Sequence, residues 1–293
     1  MNSHIISMYL NKPSLLIISL SILIGGCGST QTISKSGEIP LNKTTQATLW
    51  VQNAAEYVAI TTQTYNFAEQ MLLLSVEDSY WTASLNQEEN ENHPSLPPAI
   101  IMDIDETVLD NSPFQARMIK QDKTFNIEDW NAWCNEANAD AVPGAVKFTN
   151  YAAENGITIF YISNRSYEVE EATRKNLIEE GFPVSRSMDT IMSNGEEPGW
   201  NSSKIQRRKL VEDNYRVLMV FGDDLNDFFP AKNITQDERA ALVEEHANKF
   251  GRMWFAFPNP VYGSWEDALF DFKDELTKEE QNSILKKRLN SKN

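Results

Sequence analysis

Ile100-Ile101-Met102-Asp103-Ile104-Asp105-Glu106-Thr107-Val108-Leu109-Asp110, with Pro97-Pro98 before it, is the stretch that decides the fold. The prolines break what precedes them, and the apolar run Ala99 to Met102 reads as a short buried strand that delivers carboxylates to its C-terminal end. Open α/β sheets bind ligands at that end. In an extended chain Asp103 and Asp105 share a side, because side chains alternate with a period of two, whereas a turn would aim the second carboxylate elsewhere. Two close carboxylates repel unless one is protonated or a cation lies between them. Mg²⁺ suits them, since it takes oxygen ligands and keeps positions for waters and a substrate phosphate. A carboxylate can also accept a phosphoryl group as an aspartyl-phosphate. A lone Asp-x-Asp is more often just an acidic turn at a strand end, so the rest of the chain must decide.

Upstream, Gln46 to about Asp78 carries Leu49, Ala54, Tyr57, Val58, Ile60, Tyr65, Ala68, Met71, Leu72 and Val76 at helical spacing, which predicts two helices or one kinked helix. Asn86 to His93 is an acidic, polar connector. At the start, Asn2 to Ser14 holds one Lys and no acid, Leu15 to Leu23 is almost wholly apolar, and Ile24-Gly25-Gly26-Cys27 follows. That reads as a signal peptide over residues 1–26, too short to span a membrane. The tripeptide before Cys27 resembles the bacterial lipobox, which implies lipid on Cys27 and, with Gly28-Ser29 next, an outer-membrane lipoprotein; the alternative is an ordinary cleaved signal. Residues 27–45 are polar and aperiodic, a tether from membrane to domain. Lipid on Cys27 leaves Cys134 alone, so no intramolecular disulfide is expected. A formal net charge of −16 argues against a nucleic-acid polymer as partner.

Downstream, Asn111 to Asp140 lacks strand-helix alternation and holds Phe114, Phe125, Trp130 and Trp133. It reads as an inserted cap, with 46–96 as the other cap segment. A helix to Asn155 stopped by Gly156, a strand Ile157 to Ile162 ending in Ser163-Asn164-Arg165, a helix Tyr167 to Glu180 and a short strand Asp189 to Met192 follow. Next come a basic helix Ser202 to Asp213, a buried strand Arg216 to Phe221 ending in Gly222-Asp223-Asp224-Leu225-Asn226-Asp227, a helix Asp237 to Phe250, a strand Arg252 to Phe257 and a final helix. This order predicts an α/β fold, a doubly wound, mostly parallel sheet over residues 46–278, with a polar tail at 279–293. Three strand ends carry functional side chains, and a parallel sheet brings them to one edge.

The combination resembles the haloacid dehalogenase-like phosphohydrolases, and more closely the class C acid phosphatases, the lipoprotein 5′-nucleotidase family. Ile101 to Asn111 and Gly222 to Phe228 look like that family's two signatures. Pro143-Gly144-Ala145-Val146, Phe160 to Arg165, Ser202-Ser203-Lys204 and Tyr262-Gly263-Ser264-Trp265 also match, so the likeness covers roughly Thr45 to Leu276. Phe114 stands where the family usually has Tyr, and Asp224 where it has Asn or Thr.

The resemblance implies that Asp103 is the nucleophile and Asp105 the general acid and base, with Ser163 bonding a phosphoryl oxygen and Lys204 neutralising its charge. Mg²⁺ would be held by Asp103, the backbone carbonyl of Asp105, and Asp223. Asp227 would orient Lys204, and Asp224 either joins one of these tasks or caps the next turn. Trp130 and Tyr262 would sandwich a base or nicotinamide ring, and Asn164 would help bind substrate. Ser163 could instead cap the following helix. Arg207, Arg208 and Lys209 read as a solvated basic face, and Trp133, Trp254 and Trp265 as core. The expected function is a Mg²⁺-dependent phosphomonoesterase for small substrates such as 5′-nucleotides or nicotinamide mononucleotide. Its rivals are a phosphotransferase through the same intermediate and a non-catalytic surface lipoprotein binding, for instance, haem. The oligomeric state stays open, a homodimer included.

Overall fold

The computed structural model describes residues 39, 43–89, 93–273 and 276–292. The expected signal segment, Cys27 and nearly all of the expected tether lie outside them.

Among the described residues the first elements are α1 (Lys43–Asn53) and α2 (Ala55–Glu77), two helices separated by the extended residue Ala54, then a short α3 (Leu85–Glu88). The strand β1 (Pro98–Met102) leads into a ribbon, β2 (Leu109–Asp110) and β3 (Asp140–Ala141), which encloses α4 (Ser112–Lys120) and α5 (Ile127–Glu136). After α6 (Ala145–Glu154) the alternation is regular: β4 (Thr158–Ser166), α7 (Glu170–Glu179), β5 (Ile191–Asn194), α8 (Ile205–Asn214) and β6 (Arg216–Gly222). The last elements are α9 (Gln236–Glu245), β7 (Trp254–Ala256), α10 (Ser264–Leu269) and α11 (Lys278–Arg288).

The five main strands run parallel in the order β5-β4-β1-β6-β7, so β1 is central and the chain leaves it in both directions. A crevice opens at such a switch point, beyond the C-terminal strand ends. Strand β1 is apolar throughout because both faces are covered. Ile100 and Met102 join the core under α2 and α6, with Tyr65, Leu72 and Phe148, while Ala99 and Ile101 join the opposite core with Val211, Phe228 and Trp254. Each large side chain so buried contributes on the order of 1.5–3 kcal/mol.

Several boundaries differ from expectation. Thr235 and Glu238 form a reciprocal cap that starts α9, but the helix ends at Glu245 and the residues before β7 form turns. The final helix is two helices, and the polar tail is largely helical, started by the Thr277–Glu280 cap, with no buried residue. Segment 46–96 is mostly part of the body: Trp81 Nε1 and the Ala83 amide donate to carbonyls of β6. Its first part backs the loop after β7, since Val51 and Tyr57 pack with Val261, and Trp50 and Tyr262 lean on that group.

Candidate active site

Beyond β1 the Asp103 amide still donates to Phe221 O, 2.9 Å, so the parallel pairing carries the main chain to the crevice before it turns. The turn is tight. Val108 and Leu109 amides both donate to Ile104 O at 2.9 Å, and Glu106 takes a left-handed φ of 60°. This turn separates the two carboxylates, as the second reading of the motif allowed. Asp103 receives the ammonium of Lys204, which also donates to Asp227 Oδ1 at 2.7 Å. Asp105 instead receives Arg165 Nε and Asn111 Nδ2 on Oδ1, both at 2.9 Å, and the Ser163 hydroxyl on Oδ2 at 3.2 Å. Both carboxylates line one pocket of about 480 Å³.

The second acidic loop follows β6. Gly222 is required there because a Cβ would overlap the Asp227 carboxylate. Asp227 also accepts the Asp224 amide at 3.0 Å, which fixes the carboxylate that accepts Lys204. Asp224 is resolved as the cap: its carboxylate accepts Asn226 N at 2.9 Å and Ser264 N at 2.7 Å. Those hydrogen bonds, with Arg239 nearby, hold its carboxyl below the usual carboxylate range against the effect of burial. The extra charge is thus balanced away from the pocket's acidic group.

Asp103, Asp223 and Asp227 can each point one oxygen to within 4.8 Å of the others. Burial raises Asp103 to about 7 against the opposing pull of Lys204, and it drives Asp223 well above the carboxylate range, helped by the Asp103 and Asp227 charges. Burial likewise raises Glu106 to about 8. The group fits a hard divalent cation: three carboxylates, Asp103 and Asp227 buried and Asp223 half-buried, gather at one ammonium that pairs with Asp103 and Asp227, an excess of acidic groups, and every donor is oxygen. The pH dependence has a definite sign. Unfolding releases these groups to lower pKa values, so without metal, stability falls as pH rises from about 4 towards 8, and it is unpenalised below about 4. A melting series in EDTA is expected to show that fall, and added Mg²⁺ is expected to raise the midpoint most at the upper end. A flat EDTA profile would contradict it.

The other sequence-assigned residues are placed as follows. Ser163 is fully buried and faces Asp105; the cap of the turn before α7 is Ser166, not Ser163. Asn164 lines the pocket and ties β4 to the Lys204 loop, donating to Ser202 O at 3.1 Å. Trp130 of α5 and Tyr262 both line the pocket, with Phe125, Ile127 and Gln115 from the expected cap. Phe114 is buried beneath Trp130, ring centroids 5.1 Å apart, so it serves as packing. Trp133 and Trp254 are core, whereas Trp265 is half-buried and donates to Tyr262 O at 3.2 Å. Cys134 is a buried free thiol, pushed up to about 12 by burial.

Two assignments are corrected. Arg207 and Arg208 are buried, not solvated. Arg207 donates to the carbonyls of Ser163, Met192 (3.2 Å) and Asn201 (2.6 Å), and Arg208 to those of Asn226 (2.6 Å) and Asp227 (3.2 Å). They tie β4, β5 and the Asp227 turn to α8 by donating to their carbonyls. Only Lys209 behaves as a surface residue, pairing with Asp213.

Four residues gained no role from sequence. Arg165, almost wholly buried, spans Asp105, Thr173 Oγ1 and Asn111 Oδ1, and its guanidinium lies 5.6 Å from the Trp130 ring. Asn259 donates to Asp223 Oδ2 at 2.7 Å. Glu106 and Asn111 join the first acidic loop to its surroundings. An Arg two positions after a strand-end Ser was the one legible signal.

A parallel sheet with acidic loops and a buried Lys at one edge defines a phosphoryl-handling α/β protein, and comparison gives its family. The chain belongs to the HAD superfamily, subfamily IIIB (acid phosphatase), whose family model matches residues 24–265. Its fold is similar to the class C acid phosphatase from Bacillus anthracis, 35% identical with a TM-score of 0.70, over 85% of this chain and 97% of that one. The structure of that organism's class C acid phosphatase with tungstate bound gives 34% identity and a TM-score of 0.73 over the same shares. Similar curated proteins include the stem 28 kDa glycoprotein of Glycine max, 26% identical over 59% of this chain and 61% of that protein. The class B acid phosphatase of Salmonella typhi is 28% identical over 53% and 66%. The chain spans about half to two-thirds of the length of these curated relatives.

Proposed function

We propose that this chain is a Mg²⁺-dependent phosphomonoesterase acting through an aspartyl-phosphate on small aromatic phosphomonoesters, 5′-nucleotides or nicotinamide mononucleotide among them. The observation that carries the reading is the meeting of Asp103, Lys204, Asp223 and Asp227 in one close group on a pocket that Trp130 and Tyr262 also line. The Bacillus anthracis neighbour with tungstate bound supports it, since tungstate is a tetrahedral oxyanion like phosphate.

In this mechanism an Asp103 oxygen attacks phosphorus and the ester P–O bond breaks, while Asp105 gives a proton to the departing oxygen. Water then attacks the aspartyl-phosphate and Asp105 takes its proton, which restores both groups. Asp105 is oriented for this by Arg165 and Asn111 on one oxygen. Lys204 steadies the phosphoryl oxygens, while the buried Ser163 hydroxyl, which does not line the pocket, holds Asp105. Mg²⁺, held by Asp103, Asp223 and the Asp105 carbonyl, would offset the carboxylate charge and draw charge from the phosphoryl group. The chain would act from the outer membrane, tethered through lipid on Cys27.

One experiment tests these points. Membrane and soluble fractions of cells carrying the full chain or Cys27→Ser are assayed against nucleoside monophosphates, nicotinamide mononucleotide and sugar phosphates, with Mg²⁺ or EDTA. Activity is expected in the membrane fraction of the parent and the soluble fraction of Cys27→Ser, lost in EDTA and highest on aromatic substrates. Full activity in EDTA removes the metal, and equal rates on sugar phosphates remove the aromatic preference.

A further inference from the structure

We infer that Glu106 is a specificity-determining positioning residue: it latches the nucleophile loop to the Tyr262 wall of the pocket and so presets the space for an aromatic leaving group. The inference rests on the reading of that pocket as the phosphomonoester site.

Glu106 does not line the pocket. It lies behind it, buried, at the left-handed corner of the loop that also carries Asp103 and Asp105. One carboxylate oxygen accepts the Asn111 amide at 3.0 Å, and the other accepts the hydroxyl of Tyr262, 156 residues away. A side chain of this size in a conformation that favours glycine persists only where its surroundings over-determine it. Here two bonds from opposite sides do so.

The Tyr262 end is equally constrained. Asn259 Oδ1 accepts the Val261 amide at 3.0 Å and the Tyr262 amide at 3.3 Å, while its Nδ2 donates to Asp223. Gly263, at φ 141°, lets the chain turn immediately after the ring; a Cβ there would sit 3.0 Å from Trp265 and 3.3 Å from Asp224. The loop is therefore pinned at its backbone to one acidic loop and at its hydroxyl to the other. Trp130 belongs to a different segment, α5, packed on Phe114 and Phe125. A planar group entering beside the phosphate meets a Tyr262 wall whose tilt is already set, and binding does not have to order it.

The chemistry also says which substitutions matter. Tyr262→Phe keeps the ring and removes the latch. Glu106→Ala removes it from the other side. Glu106→Gln keeps an oxygen for the Asn111 amide and offers its NH₂ to the Tyr262 hydroxyl, which can accept as well as donate, so the latch survives.

The test measures affinity by calorimetry, with Mg²⁺ and in an Asp103→Asn background, for adenosine monophosphate and for ribose 5-phosphate, which shares the phosphate and sugar but lacks the ring. Glu106→Ala and Tyr262→Phe are each expected to weaken adenosine monophosphate relative to ribose 5-phosphate by about fivefold or more. Glu106→Gln is expected to stay within about twofold of the background, and the double change Glu106→Ala with Tyr262→Phe to be no worse than either alone. An unchanged affinity ratio in both single variants, or losses that add in the double, would overturn the latch. If Glu106→Ala does not fold, Tyr262→Phe, which deletes one oxygen, decides alone. Absence of phosphatase activity in the parent would defeat the proposed function and is a separate result, because the affinity ratio needs no turnover.

Discussion

Asp103→Asn is expected to lower phosphate release from p-nitrophenyl phosphate by about 10⁴-fold or more while the protein stays folded. A carboxamide is a poor nucleophile towards phosphorus, so the first displacement fails whatever the rest of the pocket does. The fold should not suffer. Asp103 is one of three carboxylates gathered at a single ammonium, and burial raises its pKa to about 7. Replacing it removes charge from a crowded group, and Lys204 keeps Asp227 as its partner. Without metal the thermal midpoint is expected to match or exceed that of the parent. The discriminating measurement is turnover beside a melting curve on the same sample, and turnover near the parental rate would end the aspartyl-phosphate mechanism.

Lys204→Met is expected to act in the opposite direction on stability. Its ammonium bridges Asp103 and Asp227, almost wholly buried, so a neutral side chain leaves those carboxylates without their counter-charge. Breaking a buried pair from one side typically costs about 3–5 kcal/mol. The rate is expected to fall by about 10²- to 10³-fold, the scale of losing one preorganised charge from a phosphoryl-transfer site. Lys204→Arg should recover little of either, because a planar fork does not fill the compact place of an ammonium between two carboxylates. Denaturation midpoints together with kcat separate the two effects. A Lys204→Met protein as stable as the parent would show that the acidic group is neutralised in some other way.

Much of the central architecture was legible because its signals are local. A strand covered on both faces must be apolar along its length, so Ala99 to Met102 and Arg216 to Phe221 stood out without any partner being known. Gly156 and Gly181, both in the left-handed region, end the helices before them, as their positions suggested. The two segments most poorly bounded, 235–257 and 264–288, owe their ends to caps and turns such as Thr235 with Glu238 and Thr277 with Glu280, local hydrogen bonds that a hydrophobic pattern does not display.

The acidic residues were identifiable as a set, yet their division of labour was not. Asp223, Asp224 and Asp227 stand within five positions of one another and have the same or similar chemistry. Only the fold turns one towards Asn259, one towards Ser264 and one towards Lys204. Arg207 and Arg208 show the limit most clearly. A basic pair on a polar helix reads as solvent-facing until the helix is laid across strand ends whose carbonyls lack donors, and burying an Arg becomes favourable only where such acceptors surround it.

By itself, then, the sequence determined the parallel α/β scaffold, the edge on which chemistry would gather, and the residue types that could handle a phosphoryl group. The tertiary structure alone decided that Asp103 meets Lys204 while Asp105 meets Arg165, that the buried arginines brace the strand ends and the Asp227 turn, and that Glu106 reaches Tyr262 across 156 positions. The physical reason is range. Strand and helix patterns are set by neighbours within a few residues, whereas the partner of a buried charge or hydroxyl is set by whichever distant group the packed chain brings within hydrogen-bonding distance.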